Sequence, residues 1–262
     1  MDARARDALA ASFGTIACEA GALILSLRTP AIGVSRKPDG SPVCRADVEA
    51  EALILARLAA LLPGVSVIAE ESFAQSRDGT VPERFLLVDP LDGTREFLAG
   101  HDEFTVNIAL IERGAPVVGA ICVPALHEVY VAGARAFWSD MRPSLATDAM
   151  KAIATAPLPP KPRALASRSH LDPQTEHWLS ERGIKELLQR GSSFKFCLIA
   201  RGDADVYPRL TPTMEWDTAA GHAILEAAGG SVLALDGSPL RYGKKDAGFK
   251  NAGFIAWGRA PR

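Results

Sequence analysis

The sequence lacks the marks of several common chemistries. Its four cysteines, Cys18, Cys44, Cys122 and Cys197, are scattered and form no C-x-x-C pair, which argues against a zinc knuckle or a disulfide framework. Reduced thiols are expected. Five histidines occur without an H-E-x-x-H, so a zinc-protease reading has no support. Neither G-x-S-x-G nor a Walker loop is present, and serine-hydrolase and P-loop nucleotide chemistry fall away with them. A large excess of either charge is also missing. A net charge of −2 over 262 residues provides no global field to attract nucleic acid or anionic lipid, and an anionic substrate has to be captured locally. Apolar stretches such as 52–62 stop short of the roughly 20 residues a membrane helix needs, so no integral membrane segment is expected. The first residues, Met-Asp-Ala-Arg-Ala-Arg-Asp, lack the basic-then-apolar order of a signal peptide. A cytoplasmic protein is expected, and composition leaves its oligomeric state open.

What is present is enough apolar residue, 48% against 23% charged, for a well-buried core in one large domain or two small ones. Leu9, Phe13, Ile16, Ala20, Leu23, Ile24 and Leu27 recur at three- and four-residue intervals and predict a helix over 3–27, stopped by Thr29-Pro30. A second helix is predicted from about Asp47 to Leu62, closed by Pro63-Gly64. Short β-type runs at 65–69, 85–88, 104–111, 116–122 and 128–133 predict a twisted, largely antiparallel sheet. Prolines 157, 159, 160 and 162 mark a boundary that neither helix nor sheet interior tolerates. Beyond it the pattern predicts strands at 163–167, 205–208, 231–235 and 253–257. Helices are predicted at 172–182 and from Trp216 or Asp217 to Ala228, with a helix or turn starting at Ser192 or Ser193. The fold class is therefore α/β, layered, with subdomains 1–154 and 155–262 and a pocket expected between them.

The most informative stretch is Phe85-Leu-Leu-Val-Asp-Pro-Leu-Asp-Gly-Thr94. An apolar strand runs into a turn carrying Asp89 and Asp92, and open α/β folds place their ligands at such a carboxyl edge. Pro90 is expected to end ladder pairing. Gly93 frees the backbone to pass close to ions, and Thr94 adds a hydroxyl. Hard divalent cations, Mg²⁺ in particular, take carboxylates, water and substrate phosphate. A plain polar turn has the same composition, so the other acids decide. Val65-Ser-Val-Ile-Ala also runs into acids, Glu70-Glu71; Asp47 opens the second helix, and Asp217 opens a helix whose small residues leave its first N–H groups accessible to an anion. Each has an ordinary alternative as a helix cap or a solvated turn. Five carboxylates in one cleft would repel by on the order of 4 kcal/mol per close pair unless cations neutralised them.

Asp47, Glu70-Glu71, Asp89-Pro-Leu-Asp-Gly-Thr94 and Trp216-Asp217, followed by Gly221, come in one order along nearly the whole chain. In this the sequence resembles the lithium-sensitive, magnesium-dependent phosphomonoesterases that include inositol monophosphatases and fructose-1,6-bisphosphatases. Gly93-Thr-Arg-Glu-Phe97, Glu103-Phe-Thr-Val-Asn-Ile-Ala-Leu-Ile111 and Gly191-Ser-Ser-Phe-Lys-Phe-Cys197 are similar to the CysQ branch, the 3'(2'),5'-bisphosphate nucleotidases. Arg95 stands where that branch commonly has Lys, and Cys44 where it commonly has Thr or Ser.

The resemblance implies an αβαβα sandwich and hydrolysis of the 3'-phosphate of adenosine 3',5'-bisphosphate, a by-product of sulfate assimilation, to AMP and phosphate. It also implies inhibition by Li⁺ and a peripheral association with the inner membrane. Two or three Mg²⁺ ions would be held by Glu70, Asp89, the carbonyl of Leu91, Asp92 and Asp217. Asp47 and Thr94, with Glu70, would activate the water. Gly93, Thr94, His170, Ser192, Lys195, Arg209 and Asp217 would contact substrate, with Lys195 and Arg209 on the second phosphate. The D-x-x-D spacing departs from the D-x-D of aspartyl-nucleophile phosphatases, so no covalent phospho-enzyme is expected. The rivals are an inositol or other sugar-phosphate monoesterase on the same scaffold and, from another class, a non-catalytic module that binds Mg²⁺ or nucleotide. Cys44, three residues before Asp47, is a candidate for oxidation that would displace the helix start.

Overall fold

The computed structural model describes residues 1–29, 32–37, 40–73, 80–142, 145, 149–168 and 171–259. Helix α1 (Ala3–Leu27) leads into a small hairpin of β1 (Val34–Arg36) and β2 (Pro42–Cys44), followed by α2 (Arg45–Leu61). A seven-stranded sheet follows, with its strands side by side in chain order: β3 (Ser66–Ala69), β4 (Arg84–Asp92), β5 (Thr105–Glu112), β6 (Ala115–Val123), β7 (Glu128–Ala132), β8 (Ala136–Asp140) and β9 (Lys151–Ala152). Within this sheet, among the described residues, only β3 and β4 pair in parallel. The short helix α3 (Thr94–Leu98) lies between β4 and β5.

The remainder supplies β10 (Arg163–Ser167), α4 (Pro173–Glu181), β11 (Glu186–Arg190), α5 (Phe194–Ala200), β12 (Val206–Arg209), β13 (Thr213–Met214), α6 (Ala219–Ala227), β14 (Ser231–Ala234), β15 (Lys250–Asn251) and β16 (Phe254–Trp257). Five of these strands form a mixed sheet in the order β11-β10-β12-β16-β14, and β13 pairs with β15 in a separate ribbon.

The period-2 pattern of the sheet explains the layering. Val106, Ile108 and Leu110 of β5 face one side and pack with Phe13, Ile16, Ile24 and Ile54 of α1 and α2. Ala109 and Ile111 face the other side and share a core with α5, α6 and the inner face of the five-stranded sheet. On the outer face of that sheet, Leu179 of α4 packs on Ala164, Val206 and Ile255. The result is the five-layer αβαβα arrangement. Close approach within the middle layer depends on Gly221, where a Cβ would stand 2.4 Å from the Phe196 ring.

Several sequence expectations need correction. Helix α2 starts at Arg45, so Asp47 is its third residue and Cys44 its N-cap. Helix α6 starts at Ala219, leaving Asp217 upstream of it. Pro90 interrupts the β4–β5 ladder without ending it: Asp89 pairs with Asn107, the register shifts, and pairing resumes at Asp92 and Thr105. The strands β1, β2, β8, β9, β11, β13 and β15 were not anticipated. Helix α1 is long and apolar enough to cross a membrane, contrary to the reading of apolar runs, yet 61% of its most apolar window is buried inside the fold. Its composition serves the core against β6, β7 and α2.

Candidate active site

A cleft of about 260 Å³ opens between the two sheets and takes its walls from both halves of the chain. Glu70, Asp92, Gly93 and Thr94 come from one half, and Ser192, Lys195, Arg209 and Asp217 from the other. Strands β3 and β4 run parallel, and Ala69 at the end of β3 pairs with Val88, which brings Glu70 next to Asp89; Glu70 N–H donates to the Val88 carbonyl at 3.1 Å. The ribbon of β13 and β15 delivers Asp217 to the same point.

Carboxylate oxygens of Glu70, Asp89 and Asp217 lie within 4.8 Å of one another. Burial and mutual repulsion make this trio hard to ionise. The Glu70 carboxyl is pushed up to about 8, by burial first, with Asp217 and Glu71 adding and Lys37 opposing. Asp89 is raised well above its ordinary value by burial, then by Glu70, Asp92 and Asp217. Asp217 is also raised by burial, against hydrogen bonds from Thr213 and from the Met214 N–H at 2.9 Å. These bonds turn its carboxylate back toward β13, and α6 itself starts two residues later, at Ala219. An all-oxygen, buried and like-charged donor set is what a hard divalent cation requires.

Asp92 stands beside the trio. Its Oδ2 accepts the Ser193 N–H at 2.5 Å and the Thr105 hydroxyl at 3.5 Å, and burial followed by Asp217 pushes it up to about 7. Gly93 takes φ 93°, a left-handed conformation that turns the chain from β4 into α3. That turn sets Thr94 Oγ1 2.9 Å from Asp47 Oδ1 and 3.2 Å from the Leu91 carbonyl. Asp47 Oδ2 accepts from both N–H and S–H of Cys44, at 2.8 and 2.9 Å. The acid is thus fixed from both sides and buried.

No sequence pattern marks Lys37, just after β1. Its Nζ reaches Glu70 Oε1 at 2.5 Å and Glu71 Oε1 at 2.7 Å. Burial works against its charge, but the two glutamates outweigh it and hold the ammonium above its ordinary value. Glu71 belongs to this support: its N–H donates to Glu51 Oε2 at 2.8 Å.

Lys195 is not a solvated cation. It is fully buried, and its Nζ donates to the carbonyls of Ser192 and Arg190 at 2.6 and 3.2 Å while lying 4.9 Å from the Tyr207 ring. Arg209 lines the cleft with a buried Nε that has no hydrogen-bond partner. His170 lies outside the described residues.

A model described as the inositol monophosphatase family matches residues 5–258. The chain is 42% identical over 220 residues to the 3'(2'),5'-bisphosphate nucleotidase CysQ of Salmonella typhimurium, covering 84% of this chain and 87% of that protein. To the CysQ of Escherichia coli K12 it is 40% identical over 226 residues, covering 86% and 89%. Among solved structures, CysQ from Bacteroides thetaiotaomicron superimposes with a TM-score of 0.82 at 38% identity, covering 97% of this chain and 98% of that one.

Proposed function

The chain belongs to the inositol monophosphatase family, and we propose that within it this protein is a Mg²⁺-dependent 3'(2'),5'-bisphosphate nucleotidase. Its substrate would be adenosine 3',5'-bisphosphate and its products AMP and phosphate. The observation that carries the hydrolytic reading is the 2.9 Å contact of Thr94 Oγ1 with Asp47 Oδ1 beside three converging carboxylates. A module that only bound metal or nucleotide would have no use for a hydroxyl so poised.

Glu70, Asp89, the Leu91 carbonyl, Asp92 and Asp217 would hold the Mg²⁺, two or three ions per site. When bound, the metal supplies Lewis-acid polarisation of the phosphoryl oxygens and neutralises developing charge. The remaining work belongs to the side chains. Thr94 Oγ1 donates to Asp47 Oδ1, which leaves its lone pairs to accept a proton from water in the cleft. As that proton arrives, the Thr94 proton passes to Asp47, and Glu70 helps to aim the water. Positioning and charge neutralisation suffice for phosphoryl transfer.

Recognition of the second phosphate falls mainly to Arg209, whose Nε is unpartnered in the wall. Lys195 is occupied by loop carbonyls, and its part is to hold Ser192 in place. Gly93, Ser192 and His170 complete the proposed contact set. The reading includes subdomains divided at 154/155 and a cytoplasmic location, which suits four free, buried cysteines.

Phosphate release from adenosine 3',5'-bisphosphate and from inositol 1-phosphate, with and without Mg²⁺, tests the proposal. Mg²⁺-dependent turnover favouring the bisphosphate is expected. A preference for inositol 1-phosphate would transfer the assignment to the sugar-phosphate rival.

A further inference from the structure

On the face of β5 that looks toward the cleft, Ala109 and Ile111 are apolar and join the inter-sheet core. The next two residues on the same face, Asn107 and Thr105, are polar and buried at 1% and 0% exposure. They stand directly opposite Asp89 and Asp92 in the antiparallel pair, so each of these carboxylates has a polar cross-strand neighbour.

The hydrogen bonds around Asn107 are lopsided. Its Oδ1 accepts from the Ser193 hydroxyl at 2.6 Å. Its Nδ2 is buried with no partner. Turning the amide over would give Nδ2 a partner in Ser193 but leave Oδ1, an acceptor, as the unpartnered atom of a residue that stands opposite the buried Asp89 carboxyl, where donors are the better match. Ser193 Oγ also lies 2.7 Å from Thr105 Oγ1, and Ser193 N–H holds Asp92. One serine at the start of α5 therefore ties Asn107 to the Asp92 carboxylate across the two halves of the molecule.

We propose that Asn107 is a positioning residue for the metal site: its unpartnered amide hydrogens complete the shell of Asp89 when cations draw that carboxylate into place, and its carbonyl passes the restraint through Ser193 to Asp92. The inference rests on the reading that this cluster holds Mg²⁺. A buried donor left idle in the protein alone is explained if its partner takes up position only with the ion. Groups that orient metal ligands in this way set affinity as well as activity.

The test is calorimetric titration of the purified protein with Mg²⁺, alongside its melting temperature in EDTA. Asn107→Leu removes the idle donors without opening a cavity, and Asn107→Ser is a smaller second variant should the first misfold. Both are expected to bind Mg²⁺ roughly 10-fold or more weakly, with the melting temperature in EDTA unchanged or raised. Mg²⁺ affinity within twofold of wild type in a folded variant, or a lowered melting temperature with affinity intact, overturns the proposal and leaves a structural role. Absence of Mg²⁺ binding in the wild type overturns the metal reading as well, so the two failures are distinguishable.

Discussion

The Lys37 ammonium lies 2.5 Å from Glu70 Oε1, at the edge of a carboxylate trio that makes no other salt bridge among the described residues. A buried cluster of like charges needs positive charge nearby, and here a side chain provides part of it. Lys37 and a divalent cation therefore compete for the same oxygen. Lys37→Met should tighten Mg²⁺ binding several-fold in a calorimetric titration and lower the melting temperature in EDTA. Weaker Mg²⁺ binding in the variant would show that the lysine assists the ion instead.

The trio and the neighbouring Asp92 predict an inverted pH dependence in the absence of metal. Burial raises Glu70 from 4.5 to about 8 and Asp92 from 3.8 to about 7, so between these limits the folded state holds more protons than the unfolded chain. By linkage, stability is then full below the unfolded values and falls as pH rises through the folded ones. In EDTA the melting temperature should drop by several degrees from about pH 5 to about pH 9, given about 2–4 °C per kcal/mol near this size. Saturating Mg²⁺, which favours the ionised carboxylates, should flatten the curve. A melting temperature in EDTA that rises over this range would contradict the raised carboxylates.

The acids of the site were legible because they sit where apolar strands run out: Val-Ile-Ala before Glu70, Leu-Leu-Val before Asp89. The layers were legible from periodicity. Lys37 was not, because one lysine in an Arg-Lys-Pro-Asp-Gly stretch has no pattern to mark it. The burial of Lys195 was not legible either, because the carbonyls that hold it are brought together by Ser192, at φ 48°, a backbone choice invisible in composition. Strand β11, Glu-Leu-Leu-Gln-Arg, consists of good helix formers, and parallel pairing with β10 overrides that preference. The start of α6 was placed too early because Asp217 reads as a helix cap, whereas its carboxylate reaches back to Met214 N–H.

The Thr94–Asp47 contact makes a kinetic prediction. Thr94→Ala removes the hydroxyl proposed to accept the water proton, and Asp47→Asn removes the proposed final acceptor while keeping an oxygen for the Cys44 N–H. Each should lower kcat by about 100-fold or more and leave KM and Mg²⁺ affinity largely unchanged. Wild-type kcat in either variant would refute the water-activation role.

Cys44 was a candidate for oxidative control, and its surroundings argue the reverse. The thiol is buried, and burial together with Asp47 pushes it up to about 12, so near neutral pH the reactive thiolate is scarcely populated. It acts as a hydrogen-bond donor, with S–H reaching Asp47 Oδ2 at 2.9 Å. Cys44→Ser preserves that donor and should keep kcat within about twofold, whereas Cys44→Ala leaves Asp47 Oδ2 with the backbone N–H alone and should lower kcat severalfold, a net cost typical of one hydrogen bond at about 0.5–1.5 kcal/mol. Mild peroxide should spare the activity of the native protein. Rapid inactivation that Cys44→Ser abolishes would reinstate the oxidation switch.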